Sequence, residues 1–433
     1  MQIRYNDIKY FSTRFIVFLF FVLMFGRGSS LVVNFDPRIN PLGLLLYITC
    51  IIYLIRKPNL YRIKRSSFNF ALYSTILAVW LLCHLLFLDR GFPIMPYTFF
   101  VLHIFAGILL IKKYNENIVV YFEKAMVFLA YVSLIGWGIE SLGGSSLLMK
   151  SPILLENSAG VSDHSLILYT LSVDPARSQE LYGGIFRNSG CAWEPGMFAV
   201  MLCIAILFNI FQTGKVTFNK RMIVLITALV TTFSTTGYIM GIVIFAGYYL
   251  FSKNVSFVKR IVYISIIVAG SISIYNLPFI SEKIDKNADT ESFSTEEASY
   301  VWYEKEGRAY TTGRFEGIVL DFMNFKDKPI LGYGLMRENS YLYNKVSPII
   351  ITSNGIMKPF AMFGIILGVV MFVLMYKSTV KLSKDFLFKP SYLLFIIILI
   401  GSVSYMYDST PIMRALQLYS FYIPLKLIRS KNE

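Results

Sequence analysis

The chain has 433 residues, 55% of them hydrophobic, with a mean hydropathy of +0.58. Soluble domains run about 45–50% apolar, so this composition excludes a water-soluble protein, and repeated apolar blocks of about 17–25 residues read as a polytopic all-α membrane protein. The net charge of +15 does not mark a nucleic-acid partner: threaded as twelve spans with both ends inside, the chain puts 24 Lys/Arg and 5 Asp/Glu on the cytoplasmic side against 17 and 21 outside, which is the positive-inside asymmetry.

The first predicted helix covers about 15–33 and reads as uncleaved, because Arg27 interrupts its end and no small-residue cleavage signature follows. A second covers 41–55, and the RKPNLYRIKR run after it fixes that side as cytoplasmic. Helices over 68–88, 97–111 and 118–139 follow, with Lys112 and Lys113 inside. An extracytoplasmic loop over about 140–188 then leads to a helix starting at Pro195. Helices over 222–233 and 238–251 are expected to be joined outside by a tight STTG turn, and a ninth spans 261–275. A second large outer loop covers about 276–350, and helices ending near 376, 407 and 428 close a single transmembrane domain, 1–433. No internal repeat is visible.

Cys50, Cys83 and Cys203 fall inside apolar runs and Cys191 near the outer surface, so no disulfide framework is expected. His84, His103 and His164 are scattered, and no Cys/His spacing resembles a metal site, so neither metal nor cofactor is expected.

Two stretches carry the chemistry. The first is Gly183–Ala199, GGIFRNSGCAWEPGMFA, where a polar outer loop gives way to a spanning helix. Pro195 suits the first helical turn, where its missing N–H leaves no bond unmade, and Glu194 sits at the cap. Arg187 lies seven residues before Glu194, so a fixed cation and a carboxylate approach one membrane surface, an arrangement that calls for a polar partner or substrate.

The second is Thr311–Tyr341, TTGRFEGIVLDFMNFKDKPILGYGLMRENSY. Thr311 or Thr312 can cap a short helix holding Arg314 near its first turn. Phe315, Ile318, Val319 and Phe322 recur at helical spacing, a stripe that would rest on the bilayer surface or the bundle. Gly332 and Gly334 allow close backbone approach, and Glu338, Asn339 and Tyr341 follow.

Two large external loops, an Arg-bearing stretch before a helix opening with EP, and a later GR…PILGYG…ENSYL run resemble the O-antigen polymerase and ligase superfamily. These are membrane glycosyltransferases of the C-type architecture that work without a metal on undecaprenyl-diphosphate-linked sugars. The resemblance in topology covers nearly the whole chain; in sequence it is confined to the two stretches.

The resemblance implies that Arg187 and Arg314 hold the donor's diphosphate. Guanidinium forks match phosphate oxygens and stay charged at any working pH, so they can stabilise charge on the leaving group. The alternative is that each is a solvated loop residue or a headgroup anchor. Where the superfamily often has His-Asn, this chain has Glu338-Asn339. Glu338 can accept a proton from an acceptor hydroxyl. Glu194 is the rival base, or else orients Arg187 or a sugar; a helix cap or surface charge is the plain alternative for either. Asn339 and Tyr341 are candidates for positioning substrate. Arg414, one turn into the last helix, either contacts diphosphate or pairs with Asp408.

The expected function is a polymerase of lipid-linked polysaccharide repeat units at the outer face of a bacterial plasma membrane. Its expected partners are the undecaprenyl-diphosphate-linked donor and acceptor and membrane lipids, with room for a chain-length regulator. A ligase is the nearest alternative and a lipid-linked oligosaccharide flippase the competitor from another class. Large outer loops, scarce mid-membrane charge and the lack of inverted repeats count against transport.

Overall fold

A computed structural model describes residues 9–10, 12–26, 41–56, 67–87, 94–144, 154–156, 162–164, 168–171, 186–251, 310–352, 354–403 and 410–421, with isolated helical positions at 258, 261 and 265. The chain is predominantly helical. In order come α1 (Thr13–Gly26), α2 (Pro41–Arg56), α3 (Ser67–Phe87), α4 (Ile94–Tyr114) and α5 (Ile118–Ile139). A short antiparallel pair, β1 (Leu154–Glu156) and β2 (Ser162–His164), precedes α6 (Pro195–Thr213), α7 (Lys220–Thr231) and α8 (Thr235–Phe251). Then follow β3 (Tyr310–Thr311), α9 (Arg314–Asp327), β4 (Ile350–Ile351, parallel to β3), α10 (Lys358–Asp385), α11 (Leu393–Gly401) and α12 (Pro411–Leu418).

Among the described residues, four helical stretches are long and apolar enough to cross a bilayer: Asn69–Phe87, Ile94–Gly144, Pro195–Thr213 and Lys358–Asp385, while α1, α2 and α8 are apolar but shorter. Large apolar side chains such as Leu82, Leu85, Leu86 and Phe87 on α3 are exposed; in water such a surface would aggregate, and against lipid it is the expected outside. Most of the predicted 261–275 helix, residues 276–309 of the second outer loop, and Asp408 lie outside the described residues.

Contacts gather the chain into two compact units. The first comprises Met1–Asp36, Glu116–Glu291 and Ser383–Ser404. Helix α6 is its centre, touching α1, α5, α7, α8 and α11, with every side chain from Met197 to Phe211 buried. Pro195 opens it and Gly214, at φ +68°, ends it in the left-handed conformation favoured after a helix. Glu123 of α5, fully buried, accepts Arg221 of α7 at 2.9 and 3.1 Å, Asn209 of α6 at 2.5 Å and the Gln212 amide. A buried carboxylate is tolerated because it is so fully bonded, and here it ties three helices together. The bend between α7 and α8 falls at Thr232–Ser234, with Phe233 at φ +45°. The predicted STTG turn is thus displaced: Thr235, Thr236 and Gly237 already belong to α8.

The second unit comprises Pro37–Asn115, Ser292–Leu382 and Tyr405–Glu433. Here α4 packs against α2 and α12, and Gly107 lets α12 approach so closely that a Cβ there would stand 2.7 Å from that of Arg414. The 329–335 turn docks on α3 and α4: Trp80 Nε1 donates to the Leu331 carbonyl at 2.9 Å, and Tyr97 accepts the Leu335 amide at 3.3 Å. Gly364, at φ +70°, interrupts α10 beside the Ile330 carbonyl.

Candidate functional site

In the first unit the Arg187 stretch is clamped from several sides. Trp137 of α5 donates to the Phe186 carbonyl at 2.7 Å, and Trp193 N donates to Gly26 O, at the end of α1, at 3.0 Å. Asn188, fully buried, does most of the work: its amide N–H bonds Thr231 O at 2.9 Å, and its Nδ2 reaches Thr231 Oγ1 at 2.9 Å and Ser133 Oγ at 3.1 Å. Its Oδ1 accepts Gly190 N at 2.9 Å, holding a turn in which Gly190 has φ +54° and a Cβ would meet the Phe198 ring at 2.4 Å. Arg187, half-buried, donates through Nε to the Thr232 carbonyl at 3.2 Å. Glu194 takes the cap position of α6 with an extended backbone and makes no side-chain capping bond to the first turn. The sequence reading singled out Arg187 and Glu194 and passed over Asn188; the RNSG tetrapeptide, a short polar side chain before a left-handed glycine, was its available signal.

In the second unit Arg314 is the first residue of α9. Its cap is Gly313, one residue beyond the expected threonines, and Gly313 N donates to Glu316 Oε2 at 2.9 Å. The expected stripe is only partly an inward face. Val319, Phe322 and Met323 are exposed, whereas Glu316, Leu320, Asp321 and Asn324 are buried. A helix with an apolar outer stripe and a polar inner face suits the bilayer interface.

The PILGYG turn makes the close approach its glycines predict. Gly332 (φ +75°) and Gly334 (φ +81°) have positive φ, and a Cβ on Gly332 would lie 2.2 Å from the Met362 carbonyl. After it, Glu338 and Asn339 lie in a single turn of 3-10 helix, Arg337–Asn339, and Tyr341 follows. Glu338 is half-buried, Tyr341 exposed, and Asn339 buried with no hydrogen-bond partner for its Oδ1. An orphaned buried acceptor costs about 1–3 kcal/mol, and an outside hydroxyl or N–H could satisfy it.

Arg414 is 1% exposed. Its guanidinium donates to Gln417 Oε1 at 2.8 Å and to Met371 Sδ at 3.8 Å, and lies 4.7 Å from the Phe100 ring centre. These contacts bind α12 to α4 and α10. The structure thus places Arg187 and Glu194 just before and at the start of α6, Arg314 at the start of α9, and Glu338, Asn339 and Tyr341 just before Leu342, whose amide bonds Asn324 further along α9, and it seats Arg414 inside a helix contact. Helix α9 runs about 15 Å from Arg314 to Asn324 at 1.5 Å per residue. Among the described residues no group of three or more His, Cys, Asp or Glu could hold a metal ion.

Fold and surface together define a predominantly α-helical membrane protein. No protein-family model and no curated protein matches the chain.

Proposed function

We propose that this chain polymerises undecaprenyl-diphosphate-linked polysaccharide repeat units on the outer face of a bacterial plasma membrane, as a twelve-span protein with both termini inside. The acceptor hydroxyl oxygen bonds to the donor's anomeric carbon as the bond from that carbon to the diphosphate oxygen breaks. The electron pair leaves with undecaprenyl diphosphate, and the proton passes to a carboxylate, Glu338 or Glu194. Arg187 and Arg314 are each candidates for carrying the diphosphate charge through guanidinium–oxygen bonds, and Asn339 and Tyr341 for orienting the acceptor.

The single observation that supports this most is the Glu338–Asn339 turn. It joins a carboxylate to a buried, unsatisfied amide oxygen, three residues before Leu342, whose amide bonds Asn324 of the helix that begins with Arg314. A proton acceptor beside a hydroxyl-binding atom is what acceptor activation requires. The test is the product formed when purified protein meets one lipid-linked repeat unit. A ladder of oligomers supports polymerisation, transfer only to a second acceptor means a ligase, and unchanged substrate overturns both.

A further inference from the structure

Asp321, midway along α9, is fully buried although it carries a carboxylate. It accepts Thr352 Oγ1 at 2.9 Å, Asn354 Nδ2 at 2.8 Å and Asn324 Nδ2 at 3.4 Å. Two of these donors also hold something else. Asn324 Oδ1 accepts the Leu342 amide at 3.0 Å, directly after the Glu338–Tyr341 segment. Asn354 Oδ1 accepts the amides of Ile356 at 3.1 Å and Met357 at 3.0 Å, which lead into α10. Leu320, Leu342 and Ile350 close an apolar cluster beside this polar chain. The charged and titratable groups around the carboxylate are Lys358 of α10, which also donates to Thr352 O at 3.1 Å, and the buried Tyr333 phenol.

We propose that Asp321 is a positioning residue whose carboxylate, acting through Asn324, fixes the Glu338–Tyr341 turn on the same rigid helix that carries Arg314. The effect on turnover rests on the polymerase reading; the positioning does not. The carboxylate is needed because all three neighbours donate to it. An Asn at 321 would point an NH₂ group at a donor in either orientation. One orientation turns Asn354 away from Ile356 and Met357, and the other turns Asn324 away from Leu342. Stability alone would not select this residue, because burying the charge is unfavourable and pushes the carboxyl up to about 6.

The test uses the full chain in lipid nanodiscs, with Asp321→Asn and Asn324→Ala. Hydrogen exchange over residues 337–346 is expected to quicken in both, with α4 and α6 unchanged and the melting temperature of Asp321→Asn not lowered at pH 7. On a lipid-linked repeat unit, kcat should fall about 10- to 100-fold, as for a misplaced reacting group, with KM within about twofold. Wild-type kcat should decline as pH drops below about 6, and Asp321→Asn should lack that limb. Unchanged exchange over 337–346 in both variants overturns the positioning, as does a persisting limb near that pH. If exchange quickens but wild type makes no polymer, the positioning holds and the polymerase reading alone fails.

Discussion

At the scale of the residue, Arg187 shows how a cation can be held ready. Its neighbour Asn188 bonds two helices, and its own Nε bonds Thr232 O, so the guanidinium leaves a fixed backbone. Arg187→Ala should lower polymer formation about 10²- to 10³-fold, the usual loss for one stabilising donor. Arg187→Lys keeps the charge without the fork and should recover only part of it. Ladder formation at equal expression is the check, and wild-type ladders from the Ala variant would count against the role. The two carboxylates separate in the same assay. Glu338→Gln keeps size and hydrogen bonding but not basicity, so it should lose about 10²- to 10⁴-fold if Glu338 is the base. Glu194→Gln should lose less, since a capping or orienting role survives in an amide. The reverse order would assign the proton to Glu194.

At the scale of the element, the 329–335 turn and α9 show what spacing does and does not reveal. The glycines of PILGYG mark a close approach, and Gly332 makes it against Met362 O. Gly332→Ala would be strained by its positive φ and by that carbonyl. We expect a loss of at least about 1–3 kcal/mol, seen as a lower melting temperature in detergent; an unchanged midpoint would show that the turn adjusts. Helix α9 is legible as a helix from its apolar stripe, but the stripe does not say which face is inward. In a soluble protein Val319 and Phe322 would face the core. At a bilayer surface they can face lipid, and here they are exposed while Asp321 and Asn324 are buried.

At the scale of the whole molecule, the uneven charge is a statement about topology that can be measured. A lone cysteine placed at Tyr341, which is 36% exposed, in a chain stripped of its four native cysteines, should react with a membrane-impermeant thiol reagent in intact cells. One placed at Tyr61, within the basic RKPNLYRIKR loop, should react only after permeabilisation. Labelling of both without permeabilisation would overturn the assigned orientation.

Features that depend on near neighbours along the chain can be read from residue order alone. Apolar runs of bilayer length, Pro195 at a helix start and the paired glycines of the PILGYG turn each act within a few residues, so composition and spacing reveal them. Arg187, Arg314 and Glu338 stand out as candidates because each is a charge near an apolar boundary. The long-range bonds appear only once the chain is folded. Asp321 draws two of its donors from 31 and 33 residues away, Asn188 bonds partners 43 and 55 residues distant, and Arg414 faces Phe100 from another helix. A hydrogen bond between distant segments leaves no period in the sequence. The stability of such buried polar groups depends on which donors the fold brings to them.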